Sequence, residues 1–182
     1  SIESLAFEGC LLLSAISLPS SINSIDNTSF QGFDKLTIEG KIRRIPKNSF
    51  KNNKTISQII LNTDYLNSIE SSAFEGCSSL KEISFPSSLS SIEKDAFLGV
   101  NTLTIKGKIQ RIPNNAFKNC LSLTKIIFDT DKLSTIGTSA FEGCTSIIEA
   151  TFSSSIQTIN ENAFKGITTL TINGDIQYIP NN

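Results

Sequence analysis

Phenylalanine recurs at positions 7, 30, 50, 74, 97, 117, 141 and 164, in steps of 23, 20, 24, 23, 20, 24 and 23. No other feature restricts the fold as much. A chain that returns to one large apolar residue at so regular a short period builds similar coils in succession. The steps themselves repeat as a triplet, so the whole pattern returns at every third coil and makes Phe30, Phe97 and Phe164 equivalent. "GKIRRIPKNSF" at 40–50 comes back as "GKIQRIPNNAF" at 107–117 and as "GDIQYIPNN" from Gly174 onward.

Further apolar lanes keep step with the phenylalanines. Five residues before each stands Ile: Ile2, Ile25, Ile45, Ile69, Ile92, Ile112, Ile136 and Ile159, with Ile179 continuing the series. Eight residues before comes Ile or Leu, from Ile22 and Ile42 through Leu133 and Ile156 to Ile176. A small residue, Ala or Ser, precedes each Phe, as in Ala73-Phe74 and Ser49-Phe50. An apolar–x–apolar step follows in every coil, for example Ile59/Leu61, Ile83/Phe85, Leu103/Ile105 and Ile126/Phe128. Such short alternation predicts a strand with one buried face. One coil cannot bury these residues alone; stacked coils bury them in ladders of like residues. The expectation is a single solenoid over residues 1–182, of about eight coils of 20–24 residues. Parallel strands would form its concave face, and short loops its convex face, where Gly9, Gly32, Gly76, Gly99, Gly143 and Gly166 recur. Strand spacing gives such an array a length of roughly 35–40 Å.

The unit "SAFEGCSSLKEISFPSSLSSIEKDAF" at 72–97 resembles the BspA-type leucine-rich repeat, through Phe74, Cys77, Leu80, Ile83, Phe85, Pro86, Ile92, Ala96 and Phe97. The resemblance implies a leucine-rich repeat solenoid. It also implies a surface or secreted protein that adheres to host matrix, cells or other microbes. The short coils depart from the pattern: the Cys and Leu lanes merge at Phe33, Val100 and Ile167, and Pro46, Pro113 and Pro180 mark these coils. The chain opens at Ser1 and contains no Met, and is read as a fragment of a longer array.

Candidate chemistry is sparse. With no histidine, the usual triads and His-bound zinc are excluded. Cys10, Cys77, Cys120 and Cys144 each stand three residues after a Phe and are expected in one core lane as free thiols. Asn53 puts an amide in that lane and needs loop backbone to satisfy it. Asn53-Lys54-Thr55 and Asn27-Thr28-Ser29 are glycosylation sequons, and Asn27 is the expected acceptor because it is expected to be exposed. "NTDYL" at 62–66 and "DTDKL" at 129–133 carry too few carboxylates for calcium and read as turns at a strand exit. No cofactor or metal is called for.

The binding surface is expected on the concave sheet, on the outward residues Ser17, Thr37, Ile60, Ser84, Thr104, Ile127, Thr151 and Thr171. Ile60 and Ile127 interrupt a polar lane at one triplet position and mark contact with a partner or cover from a loop. Lys41, Arg43 and Arg44 recur in part as Lys108 and Arg111, a sparse basic edge suited to an anionic glycan. A net charge of −1 and a pI near 5.5 argue against nucleic acid, and no apolar run approaches a bilayer span.

The chain is therefore expected to be a non-enzymatic, extracellular or cell-surface binding module for a protein or glycan on a host or microbial surface. The alternative is a scaffold that self-associates end to end. One test addresses the lanes themselves. Ile112→Asp is expected to cost about 4 kcal/mol or more, because it buries an unpaired charge. An unchanged melting temperature would show that the lane is misplaced.

Overall fold

The computed structural model describes residues 1–10 and 12–173, so Asp175, Ile176, Gln177, Tyr178, Ile179 and Pro180 lie outside the described residues. The main wall is one sheet of eight parallel strands: β1 (Ala15–Leu18), β2 (Lys35–Gly40), β4 (Gln58–Leu61), β6 (Glu82–Phe85), β8 (Thr102–Gly107), β10 (Lys125–Phe128), β12 (Glu149–Thr151) and β14 (Thr171–Asn173). These are the apolar–x–apolar steps, and in β4, β6 and β10 alternate residues face inward. The opposite wall carries more than turns. It holds two sheets of two-residue strands: β3 (Arg44–Ile45), β5 (Ser68–Ile69) and β7 (Ser91–Ile92), then β9 (Arg111–Ile112), β11 (Thr135–Ile136) and β13 (Thr158–Ile159). The short turns expected there are present, and these strands add to them. The Ile lane five residues before each Phe makes inter-coil pairs there, which takes only two extended residues per coil.

Proline divides this second wall. In the paired coils the residue after the Ile donates its N–H one coil back: Glu70 to Ile45 O at 3.0 Å, Glu93 to Ile69 O at 2.9 Å, Gly137 to Ile112 O at 2.9 Å and Asn160 to Ile136 O at 3.0 Å. In the short coils that donor position is Pro46 or Pro113, which has no N–H. The ladder stops there, and β7 and β9 do not pair. The turn segments show the same break. Phe74 N–H donates to Ala96 O and Phe117 N–H to Ala140 O, both at 2.8 Å, whereas among the described residues no backbone bond joins the Phe97 turn to the Phe117 turn. Each proline thus opens a block of three coils.

The main sheet crosses the same boundaries by changing register. Leu36 faces Ile59 and Ile59 faces Ile83, as the lanes require. Entering a short coil, however, Ile16 faces Ile38 rather than Leu36, Ile83 faces Ile105 rather than Leu103, and Ala150 faces Ile172 rather than Leu170. A displacement of two residues leaves the inward and outward faces of the strand unchanged. Gly40 and Gly107 close the displaced six-residue strands at φ +91° and +95°. A Cβ there would lie 2.5 Å from the Leu18 carbonyl and 2.3 Å from the Phe85 carbonyl. Thr63 and Thr130 donate their hydroxyls to the Gly40 and Gly107 carbonyls, both at 2.7 Å. The "NTDYL" and "DTDKL" turns are thereby fixed by threonine.

Between the walls lies one continuous apolar core. Its axis is a stack of phenylalanines, from Phe7 to Phe164, with successive ring centroids 5.0–5.3 Å apart. Phe85 and Phe128 meet it edge-on, at 6.1 Å from Phe97 and 6.0 Å from Phe141. The small residue before the Phe is buried in every coil from Ser29 to Ala163, and Ser49 returns its hydroxyl to the Pro46 carbonyl at 2.6 Å.

The cysteine lane closes turns as well as filling space. Cys77 Sγ donates to Phe50 O at 3.0 Å and Cys144 Sγ to Phe117 O at 2.9 Å. Asn53 Nδ2 donates to Phe30 O at 2.8 Å, and its Oδ1 accepts from the Thr55 and Ile56 N–H groups, each at 3.0 Å. Asn53 is fully buried with its amide satisfied by loop backbone. All four thiols are free, but Cys10 is exposed and departs from the expected core lane. Phe7 of the same coil is likewise only half-buried.

The lane can be probed at its amide and at its thiols. Asn53→Ala is expected to lose about 2–3 kcal/mol, since it strands buried backbone groups, and Asn53→Cys about half of that, because a thiol can still meet the Phe30 carbonyl. Urea unfolding of both variants checks the order. For the thiols, burial pushes Cys77 up to about 12, and the adjacent Cys144 together with burial pushes Cys120 up. Both stay protonated at pH 8, and Cys144 is closed off from solvent. A thiol reagent should therefore modify Cys10 alone in the folded chain and all four after denaturation. Rapid native labelling of Cys77 would contradict this.

Candidate functional site

The outward face of the main sheet carries the residues expected to bind. They do not form one row. Thr37, Ile60 and Ser84 are successive Cα partners, but Ser84 then faces Lys106. Thr104, Ile127 and Thr151 lie on the neighbouring row, which arrives through Gln58 and Glu82. Ser17 faces Glu39, and Thr171 faces Glu149. The register change at each short coil moves every row by two residues, or ~6.6 Å along the strand. No residue signature announces this, because the parity of the lanes is unchanged.

Cross-strand pairs neutralise most charge on this face. Lys106 Nζ lies 2.9 Å from Glu82 and 3.7 Å from Asp129, and Lys125 lies 2.8 Å from Glu149. Gln58 also donates to Glu82. Burial alone would raise the Glu82 carboxyl, but the bonds from Lys106 and Gln58 and the Lys106 charge hold it below its ordinary value. Among these pairs stands Ile60, 36% exposed. A hollow of about 120 Å³ lies beside it, lined by Ser84, Pro86 and Lys108 among others. Ile127 is half-buried, less open than its triplet position suggested.

Lys41, Arg43, Arg44, Lys108 and Arg111 are exposed along one flank. They are not equivalent. Arg44 Nε pairs with Glu70 at 3.2 Å and its Nη2 donates to Asn23 Oδ1 at 2.8 Å. Arg111 Nη2 donates to Asn114 Oδ1 at 2.9 Å, within its own coil. Beside Arg111, between β7 and β9, an open groove of about 540 Å³ follows the break in the second wall. Of the two sequon asparagines Asn27 is the more open, half-buried where Asn53 is fully buried, and its Nδ2 donates to Lys51 O at 3.2 Å. Asp129 and Asp131 border another open hollow, of about 650 Å³, where Asp131 pairs with Lys132 at 3.0 Å. Among the described residues no group of His, Cys, Asp or Glu is placed to hold a metal, and no helix is long and apolar enough to cross a membrane.

Comparison with known proteins matches this geometry. The sequence pattern of the BspA type leucine rich repeat region fits residues 1–106 and 98–182, in 6 copies. A leucine rich cell surface protein from Faecalibacterium prausnitzii A2-165 shares the fold at a TM-score of 0.50 and 20% identity, over 94% of this chain and 62% of that one. A leucine-rich repeat protein from Eubacterium ventriosum ATCC 27560 does so at a TM-score of 0.50 and 17% identity, over 92% of this chain and 60% of that one. The chain thus spans about three-fifths of the length of these structures. No curated protein matches it.

Proposed function

This chain belongs to the BspA-type leucine-rich repeat family, and from that premise we propose that it works as a non-enzymatic binding module displayed at a cell surface or outside the cell. Its partner is a protein or glycan of a host or another microbe, taken up on the outer face of the main sheet. The observation that carries this reading is Ile60. It is a large apolar side chain held 36% exposed on a regular sheet, between Thr37 and Ser84, with Glu82 of the next strand paired to Lys106. A large apolar side chain part-exposed between small polar neighbours suits an anchor that a partner covers. Ile127, at the equivalent position in the next block, offers a second, less exposed contact on the neighbouring row. The family resemblance and the surface location of the Faecalibacterium protein support the setting.

The reading assigns no covalent chemistry to the chain. The core thiol of Cys77 is pushed up to about 12 and serves as a hydrogen-bond donor, and the sequence offers no histidine to activate a nucleophile.

The test is binding of the purified chain to immobilised matrix proteins, surface glycans and intact cells, measured for the parent and for Ile60→Ser and Ile127→Ser. Each substitution is expected to weaken binding about tenfold or more, with the melting temperature retained. Wild-type affinity in the double variant would remove the main sheet as the binding face.

A further inference from the structure

We propose that the groove at the Pro113 junction, between β7 and β9, is a second and separate ligand site that takes a carboxylate-bearing sugar ring, with Arg111 meeting the carboxylate. The repeat supplies its own internal comparison. Arg44 and Arg111 hold one position in consecutive blocks. Arg44 is tied down twice, by Glu70 at 3.2 Å and across the break by Asn23 at 2.8 Å. The corresponding positions around Arg111 are Gly137 and Ser90, so both ties are gone. Arg111 keeps one bond, from Nη2 to Asn114 Oδ1, and has no ion pair among the described residues. Four of its five N–H donors remain for a ligand.

The groove in front of it has the lining such a ligand needs. Its volume of about 540 Å³ lies in the range of small-molecule sites. Ser87, Ser90, Ser91, Gln110 and Asn114 line it, and among the described residues no carboxylate does; the Ser90 hydroxyl already donates to Asn67 O at 3.1 Å, and Asn114 Oδ1 accepts from Arg111 and the Thr138 N–H. The nearby Glu93 is engaged instead, accepting the Ser71 N–H at 3.0 Å. Leu89 and Pro113 form the floor, and both are buried. Hydroxyls and amides suit a polyhydroxylated ring, and a guanidinium suits a carboxylate in bidentate geometry. An added peptide strand fits less well. The coils on either side remain packed, with the Phe97 and Phe117 rings 5.2 Å apart, so no further strand can enter between β7 and β9.

The experiment titrates the whole chain, by calorimetry and NMR, with a uronic-acid oligosaccharide, with sialyllactose and with neutral lactose. At least one acidic sugar is expected to bind ten times more tightly than lactose, and which one binds identifies the source of the carboxylate. Arg111→Gln is expected to lose that binding at least tenfold with an unchanged melting temperature. Ser90→Asn, which restores the residue type that holds Arg44, is expected to weaken it by recapturing the guanidinium. Lys165→Gln, which removes a cation from a distant turn, is expected to bind as the parent does. The proposal is overturned if lactose binds equally, if Arg111→Gln keeps parental affinity, or if neither acidic sugar binds at millimolar concentration. Because the readout is a small sugar at Arg111, its failure leaves the main-sheet reading standing, and the converse also holds.

Discussion

The distance between neighbouring coils is set by the phenylalanine stack, whose rings repeat every 5.0–5.3 Å from Phe7 to Phe164. That repeat is slightly longer than the spacing of paired strands, ~4.8 Å. The two kinds of contact are compatible, so one side chain per coil can hold two walls in hydrogen-bonding range. The rest of the architecture follows from keeping that stack unbroken. Short and long coils must both return a Phe to the same axis, as Phe50 and Phe74 do, and the difference in length has to be absorbed somewhere else.

It is absorbed at the short coils, in two ways that act together. On the main sheet the longer strands β2 and β8 slide by two residues against their predecessors, and glycine lets the strand end close on the neighbouring carbonyl. On the opposite wall Pro46 and Pro113 withhold the N–H that would continue the ladder. A register change on one wall with a fixed ladder on the other would shear the coil. Releasing the ladder at that step removes the conflict. The triplet period is thus a mechanical unit as well as a sequence unit: three coils with backbone ladders on both walls, then a joint with a backbone ladder on one wall, held elsewhere by the core and by side-chain bonds such as Arg44 to Asn23.

Much of this was legible in the sequence because the lanes are one-residue signals with a fixed period. The Phe, Ile and small-residue lanes name their own positions, and the amide of Asn53 had to meet backbone, as it does at Phe30 O. The register change was not legible, because an even slip leaves the apolar–polar alternation intact and the lanes align equally well either way. Nor was the second wall, since two extended residues per coil carry no alternation to detect. The role of proline was half legible: its missing N–H is a property of the residue, but the donor it replaces is defined only by the neighbouring coil. Cys10 departs from its lane for a related reason: the lane is set by sequence spacing, but burial depends on what packs beside that one coil.

In such an array, the residues that build the stack have little freedom, and those that face outward have much. Similarity between blocks therefore reports on the fold, and differences between blocks report on the surface. Ile45 and Ile112, or Phe50 and Phe117, are interchangeable because the ladder demands one shape at that point. Asn23 and Ser90, or Glu70 and Gly137, are not, although they occupy matched positions. These two differences free a guanidinium that the earlier block keeps bound, and do so where proline has already parted the wall. Both changes, one across the joint and one within the block, release the guanidinium beside one groove, while the core beneath it, from Phe97 to Phe117, stays packed at 5.2 Å. A joint that can tolerate this loss without disturbing the stack is a place where a repeat protein can acquire a ligand site with little loss of stability.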